Sequence, residues 1–280
     1  MIVSPRAEGL VLVRQVDHQI QCGLMAARWG GAGFARPEPW GPLAGAAAWH
    51  DEGWRQWEAR PEVAPDGRPV DFVDIPRPVH VGLYRRGIAT SLARDPLAGL
   101  LVSLHGRGLY ERRLGIDGPR PDPGDRPRAV REFLAEQEAL QEGLRARLRP
   151  DPDWEWAAYR ILQALDLLSL YLTWRAHPAG REGELAKVPR APGDEGVAIR
   201  LRRTGEWTAS ADPFPFTGEA VPLEVAARVV PDRRYRDADD LAREMASARV
   251  VRLPYVVHRA SHARGRSAPG RRAAPSSPRT

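Results

Sequence analysis

Apolar residues recur at helical spacing over the first 175 positions of the chain and give way to strand-like alternation beyond them. Val13, Val16, Ile20, Leu24 and Met25 mark an amphipathic helix from Val11 to Trp29, ended by Gly30, Gly31 and Gly33. A link containing Pro37, Pro39 and Pro42 leads to a second predicted helix, Leu43 to Glu58, halted before Pro61. Val79–Ala93 and Pro96–Arg112 read as two further helices, parted at Asp95-Pro96, where proline suits a first helical turn. A link rich in proline and glycine, Gly115 to Pro127, precedes two long helices, a charged one over Arg128–Arg149 and an apolar one over Asp153–Arg175.

Past His177-Pro178 the pattern changes. Val197–Arg202 alternates, and valine-rich Leu223–Val229 and Val250–Val257 read as strands, with a short helix over Asp237–Ser247. From Ser261 the composition is proline, serine and arginine, which predicts disorder. The expected fold is mainly α: a helical bundle over residues 1–178, a small C-terminal β-rich (α+β) subdomain over 195–258, and a tail over 261–280.

Within the helical part, several polar residues occupy positions that the pattern assigns to the core. Asp166 lies in Ile161–Leu172, a segment apolar around nearly its whole circumference, and such a helix is buried on all sides. Gln163, Asp166, Ser169 and Thr173 follow one another at three- and four-residue steps, so they form one polar stripe. His50 shares a face with Leu43, Ala47, Trp54 and Trp57, and Asp51 projects about 100° round from it. His105 shares a face with Leu97, Leu101, Leu104 and Leu109, and His18 with Cys22, Met25 and Trp29. His80 begins its helix, where a capping or surface role is the alternative.

Burying such groups is costly unless something pairs with them, and a metal ion is one such partner. His18, His50, Asp51, His80, His105 and Asp166 are therefore candidate ligands. Imidazole and carboxylate together suit Mn, Fe or Zn; six donors would serve two ions and four would hold one. The alternative is structural: core histidines satisfied by hydrogen bonds, and an Asp166 that is hydrogen-bonded or paired with an arginine. The single Cys22 excludes an intramolecular disulfide and a multi-thiolate zinc site. No phosphate loop, nucleophile elbow or H-E-x-x-H helix is present.

Charge narrows the partners. The net +6 equals the six arginines between His258 and Thr280, so the rest is near neutral and no basic field steers nucleic acid. Trp154–Trp174, the longest apolar stretch, is interrupted by Arg160, Gln163 and Asp166, which argues against a membrane span. With no start resembling a signal peptide, a cytoplasmic location is expected.

The order His18, His50-Asp51, His80, His105, Asp166 resembles the ligand signature of the HD-domain metal-dependent phosphohydrolases. That resemblance implies an HD-like bundle and hydrolysis of a phosphoester, such as a nucleotide. It also implies that His18, His50, Asp51 and Asp166 form a primary metal set, with His80 and His105 completing a second site. Asp51 would bridge two ions and act in catalysis, and Arg14 and Arg107 would pair with an anionic small-molecule substrate. Asp-His-Gln, Trp-His-Asp-Glu-Gly-Trp and Val-Ser-Leu-His-Gly further resemble a bacterial family of unknown function, DUF3891, over nearly the full chain. Two rival readings stand beside the hydrolase: a di-iron oxygenase related to the HD proteins, and a non-catalytic helical binding module whose histidines are structural.

Overall fold

A computed structural model describes residues 1–31, 33–111, 126–174 and 178–261. Most of the Gly115–Pro127 link, the segment 175–177 at the expected end of the helical domain and the tail beyond Ser261 lie outside the described residues.

The chain opens with a hairpin of β1 (Ile2–Arg6) and β2 (Gly9–Val13), then runs through α1 (Gln15–Arg28) and α2 (Gly41–Trp49). A single 3-10 turn, Glu52–Trp54, leads into the short α3 (Arg55–Glu58). Four long helices follow: α4 (Arg77–Arg94), α5 (Pro96–Tyr110), α6 (Arg128–Leu148) and α7 (Pro152–Thr173). The C-terminal part supplies β3 (Glu182–Val188), β4 (Val197–Arg203), β5 (Thr208–Asp212), β6 (Ala220–Val230), α8 (Ala238–Ser247) and β7 (Val250–Arg259).

The seven strands among the described residues belong to one curled sheet of order β1-β2-β6-β7-β5-β4-β3, antiparallel except where β5 pairs with β7. With 48% helix and 22% strand, the protein is α+β, and the expectation of a mainly α, HD-like bundle with a small C-terminal appendage is overturned. The sheet takes its first two strands from the N-terminus: Leu10 pairs with Val230 and Leu12 with Arg228. The misreading has a physical source. Leu10-Val11-Leu12-Val13 is a continuous apolar run, which periodicity cannot assign to helix or strand. Here it is a strand buried on both faces: Val11 and Val13 join the main core, while Leu10 and Leu12 pack with Leu241 and Met245 of α8.

Against the sheet lie the helices, α1 on β6 and α7 on β3, sharing a core in which Ile2 and Val225 meet the buried residues of α7, Leu162 and Leu165 among them. Two helical expectations are corrected. Ile20 and Leu24, assigned to the packed face of α1, are 53% and 45% exposed. The buried face of α1 is instead polar, formed by Gln15, His18, Gln19, Gln21 and Cys22 with Val16, Met25 and Ala26. The helix predicted over Leu43–Glu58 breaks at His50 and Asp51, where Asp51 leaves the helical region (φ −105°, ψ 18°). At that break the chain runs against α4. A Cβ on Gly53 would sit 2.0 Å from the carbonyl oxygen of Leu83, so only glycine allows the approach. Among the described residues no helix is long and apolar enough to cross a membrane.

Candidate metal centre

Helix α7 carries the hub of the centre. Asp151 caps its N-terminus by accepting hydrogen bonds from the amides of Asp153 (2.8 Å) and Trp154 (3.3 Å), and its apolar circumference packs against α1, α2, α5 and β3. The polar stripe finds a partner at every position. Gln163 donates to the Tyr159 hydroxyl (2.9 Å), Thr173 donates to the Ser169 carbonyl (2.7 Å), and Asp166 and Ser169 face the histidines.

His18 from α1 places Nε2 2.8 Å from Asp166 Oδ1 and Nδ1 2.7 Å from Ser169 Oγ. Ser169 donates its own proton to Gln21 Oε1 (2.6 Å), so its oxygen accepts from His18 Nδ1–H. The remaining His18 nitrogen and the Asp166 carboxylate can share 2.8 Å only with a proton or a cation between them. His50, at the C-terminal end of α2, donates Nδ1–H to the Ala47 carbonyl (3.1 Å). A backbone carbonyl only accepts, so Nδ1 keeps its proton and Nε2 is the nitrogen at which the ring gains or loses its second one. That nitrogen is buried and has no hydrogen-bond partner among the described residues; it lies 3.4 Å from Asp51 Oδ2 and 3.7 Å from Asp166 Oδ1. His105 of α5 completes the ring of imidazoles with Nε2 3.6 Å from Asp166 Oδ2.

These separations discriminate. They are too long for hydrogen bonds. They match donors around one ion, because bonds of about 2.1 Å at tetrahedral angles set neighbouring donors about 3.4 Å apart. Donor atoms of His50, His105 and Asp166 all lie within 4.8 Å of one another. All three residues are at most 5% exposed, as are His18 and Asp51, so bulk solvent does not reach them.

A family model described as Protein of unknown function (DUF3891) matches residues 1–232. The chain belongs to that family. The DUF3891 match spans β1 through β6 and contains His18, His50, Asp51, His105 and Asp166. Comparison with curated proteins and with solved structures finds no match.

Electrostatics within the DUF3891 region follow from burial and pairing. Burial alone would raise the Asp166 carboxyl, but the hydrogen bond to His18 and the neighbouring His50 and His105 imidazoles hold it well below the ordinary aspartate range. Burial opposes protonation of His50, yet Asp51 and Asp166 prevail and its pKa rises to about 9. At His105 burial wins, pushing the pKa down to about 4. Asp51 accepts from the Tyr84 hydroxyl at 3.3 Å, and its amide is braced by Gln19 Oε1 at 2.8 Å. Burial drives the Tyr84 hydroxyl well above the usual tyrosine range, with Asp51 and Asp166 adding to it, so it stays a donor.

His80 stands apart from these donors. Its ring packs against Trp54, Tyr84 and Tyr110, with centroids 5.6, 5.0 and 5.6 Å away, and its Nδ1 pairs with the Tyr110 hydroxyl. Tyr84 therefore links His80 to Asp51. Neither of the two expected substrate arginines touches the cluster: Arg14 is bound by Asp17 (2.7 and 3.0 Å), and Arg107 by Glu111, Gln141 and Glu138. Tyr84 and Cys22 were not among the predicted site residues. Cys22 had a local signal, since it follows His18 by one helical turn; the contact of Tyr84 with Asp51 had none.

Proposed function

We propose that this cluster is a divalent-metal centre and that the protein is a metal-dependent phosphohydrolase acting on a phosphoester. The observation that carries the reading is the His50 imidazole: fully buried, its Nδ1–H held by Ala47, its Nε2 directed at two carboxylates without a hydrogen-bond partner among the described residues. With its Nε2 proton displaced, a ring so arranged gives its lone pair to a cation held beside both carboxylates. His50, His105 and Asp166 would hold the ion, with His18 kept in line by the Ser169–Gln21 relay. Imidazole and carboxylate donors suit Mn, Fe or Zn.

A bound divalent ion lowers the pKa of its water to about 7 and offsets charge on a phosphoryl oxygen. Asp51 Oδ2 faces the same space and would take the proton of the attacking water, while Tyr84 holds the other oxygen of that carboxylate. The order of donors along the chain, by which the sequence resembles phosphohydrolases, supports a phosphoester as substrate; the fold lends that choice nothing.

Elemental analysis of protein purified without chelator, coupled to hydrolysis of p-nitrophenyl phosphate and bis(p-nitrophenyl) phosphate, tests the reading. One or two equivalents of Mn, Fe or Zn are expected, with turnover that Asp51→Asn abolishes and Asp166→Asn loses together with the metal. Wild-type protein that carries no metal and refuses added metal overturns the proposal. Bound iron with oxygen consumption and no ester hydrolysis would transfer the centre to oxygen chemistry.

A further inference from the structure

Cys22 stands at the same centre, and the hydrolysis proposed above does not use it. One helical turn after His18, it shares that residue's face of α1. Its Sγ lies 4.0 Å from His18 Nε2 and donates to the Leu165 carbonyl at 3.6 Å, one residue before Asp166. His18, Cys22 and His50 each offer one donor atom, and these atoms all lie within 4.8 Å of one another. The partnerless His50 Nε2 is thus common to two donor groups, this one and the set with His105 and Asp166. One nitrogen lone pair binds one ion, so the two groups are alternative seats about a shared histidine.

We propose that Cys22 is a thiolate ligand of the centre, and that His18, Cys22 and His50 form a soft seat for zinc-class ions beside the harder seat of His50, His105 and Asp166. This inference rests on the metal-centre reading. Thiolate favours zinc over manganese and magnesium, which prefer oxygen-rich sets. Zn–S and Zn–N bonds of about 2.3 and 2.0 Å at a tetrahedral angle set sulfur and nitrogen about 3.5 Å apart, so the 4.0 Å separation must close by about half an ångström. Burial holds the thiol protonated while no cation is bound. Seating an ion there forms one metal–sulfur bond, breaks the S–H bond and releases one proton to solvent.

Cobalt(II) alone, added to the full chain, separates the possibilities. The expected result is a near-ultraviolet thiolate-to-cobalt charge-transfer band that Cys22→Ser loses, while weaker visible cobalt bands persist from the histidine and carboxylate ligands. Cobalt that binds with visible bands only, identical in wild type and Cys22→Ser, overturns the role of Cys22 and leaves the metal centre standing. Wild type that binds no cobalt and no zinc overturns both. X-ray absorption of zinc-loaded wild type keeps the inference testable if the variant does not fold: a sulfur shell at about 2.3 Å supports it, and a first shell of nitrogen and oxygen alone sinks it.

Discussion

Helix α5 carries Ser103 and His105 two positions apart, and each belongs to a different buried polar cluster. Ser103 donates to Gln137 (3.0 Å) and accepts from Gln141 (2.9 Å), whose oxygen accepts from Arg107 (3.3 Å). None of the buried polar atoms of Ser103, Gln137 or Gln141 lacks a partner, whereas His50 Nε2 and His105 Nδ1 do. The first cluster closes on itself and ties α5 to α6. The second leaves His50 Nε2 facing two carboxylates at 3.4 and 3.7 Å, too long to hydrogen-bond. Burial alone therefore does not mark a functional site; incomplete satisfaction at coordination-like spacing does.

The comparison breaks most readily at Asp166. Asp166→Asn leaves three histidines without the carboxylate they surround, and urea denaturation of metal-free protein should show a loss of about 3–5 kcal/mol. Metal content should fall to zero in the same variant; unchanged content would erase the distinction between the clusters. The next effect is a pH dependence. The pKa of His50 in the folded protein is about 9 against an ordinary 6.5, so the charged ring favours folding. Its contribution, on the order of 1–3 kcal/mol, is fully present below about pH 6.5 and lost as pH rises through 9. Metal displaces that proton, so the stabilisation by added zinc should grow over the same pH range. Parallel denaturation curves with and without zinc would read the opposite slopes, and identical slopes would remove His50 from the ligand set.

On the closed side, Ser103→Ala strands the Gln141 amide and should cost about 1–3 kcal/mol, with metal content and turnover unchanged. Loss of metal in that variant would show that the clusters are coupled through α5. The smallest effect is expected at the cap of the same helix. Asp95 accepts from the amides of Leu97 and Ala98, and Asp95→Ala should lower stability by about 1 kcal/mol in thermal melts, again without touching the metal.

Much of this organisation is local and was legible as such. Prolines, caps and helical periodicity act over a few residues. The predicted spans of α4, α5, α6 and α7 consequently fall within about two residues of those observed. The strands β4, β6 and β7 announced themselves by valine and alternation. The stripe on α7 was equally readable, because a carboxylate in an apolar helix must find a partner wherever that helix packs.

The rest depends on residues far apart in sequence. Leu10 becomes a strand residue by pairing with Val230, and no window of the chain contains both. The sheet, and with it the α+β class, was decided by that distant pairing. The polar buried face of α1 was likewise set by contact: Ile20 and Leu24 have the hydrophobicity for the core, but the histidines, Asp166 and Ser169 claim the inward side. His80, at the start of its helix, and His105, on an apolar helical face, were both candidate ligands in the sequence. Only packing sends one to Trp54 and Tyr110 and the other to Asp166. By itself the sequence determined which side chains must seek polar partners in the interior; the tertiary structure decided which of them meet, because the energy of a buried polar group depends on neighbours that chain order does not specify.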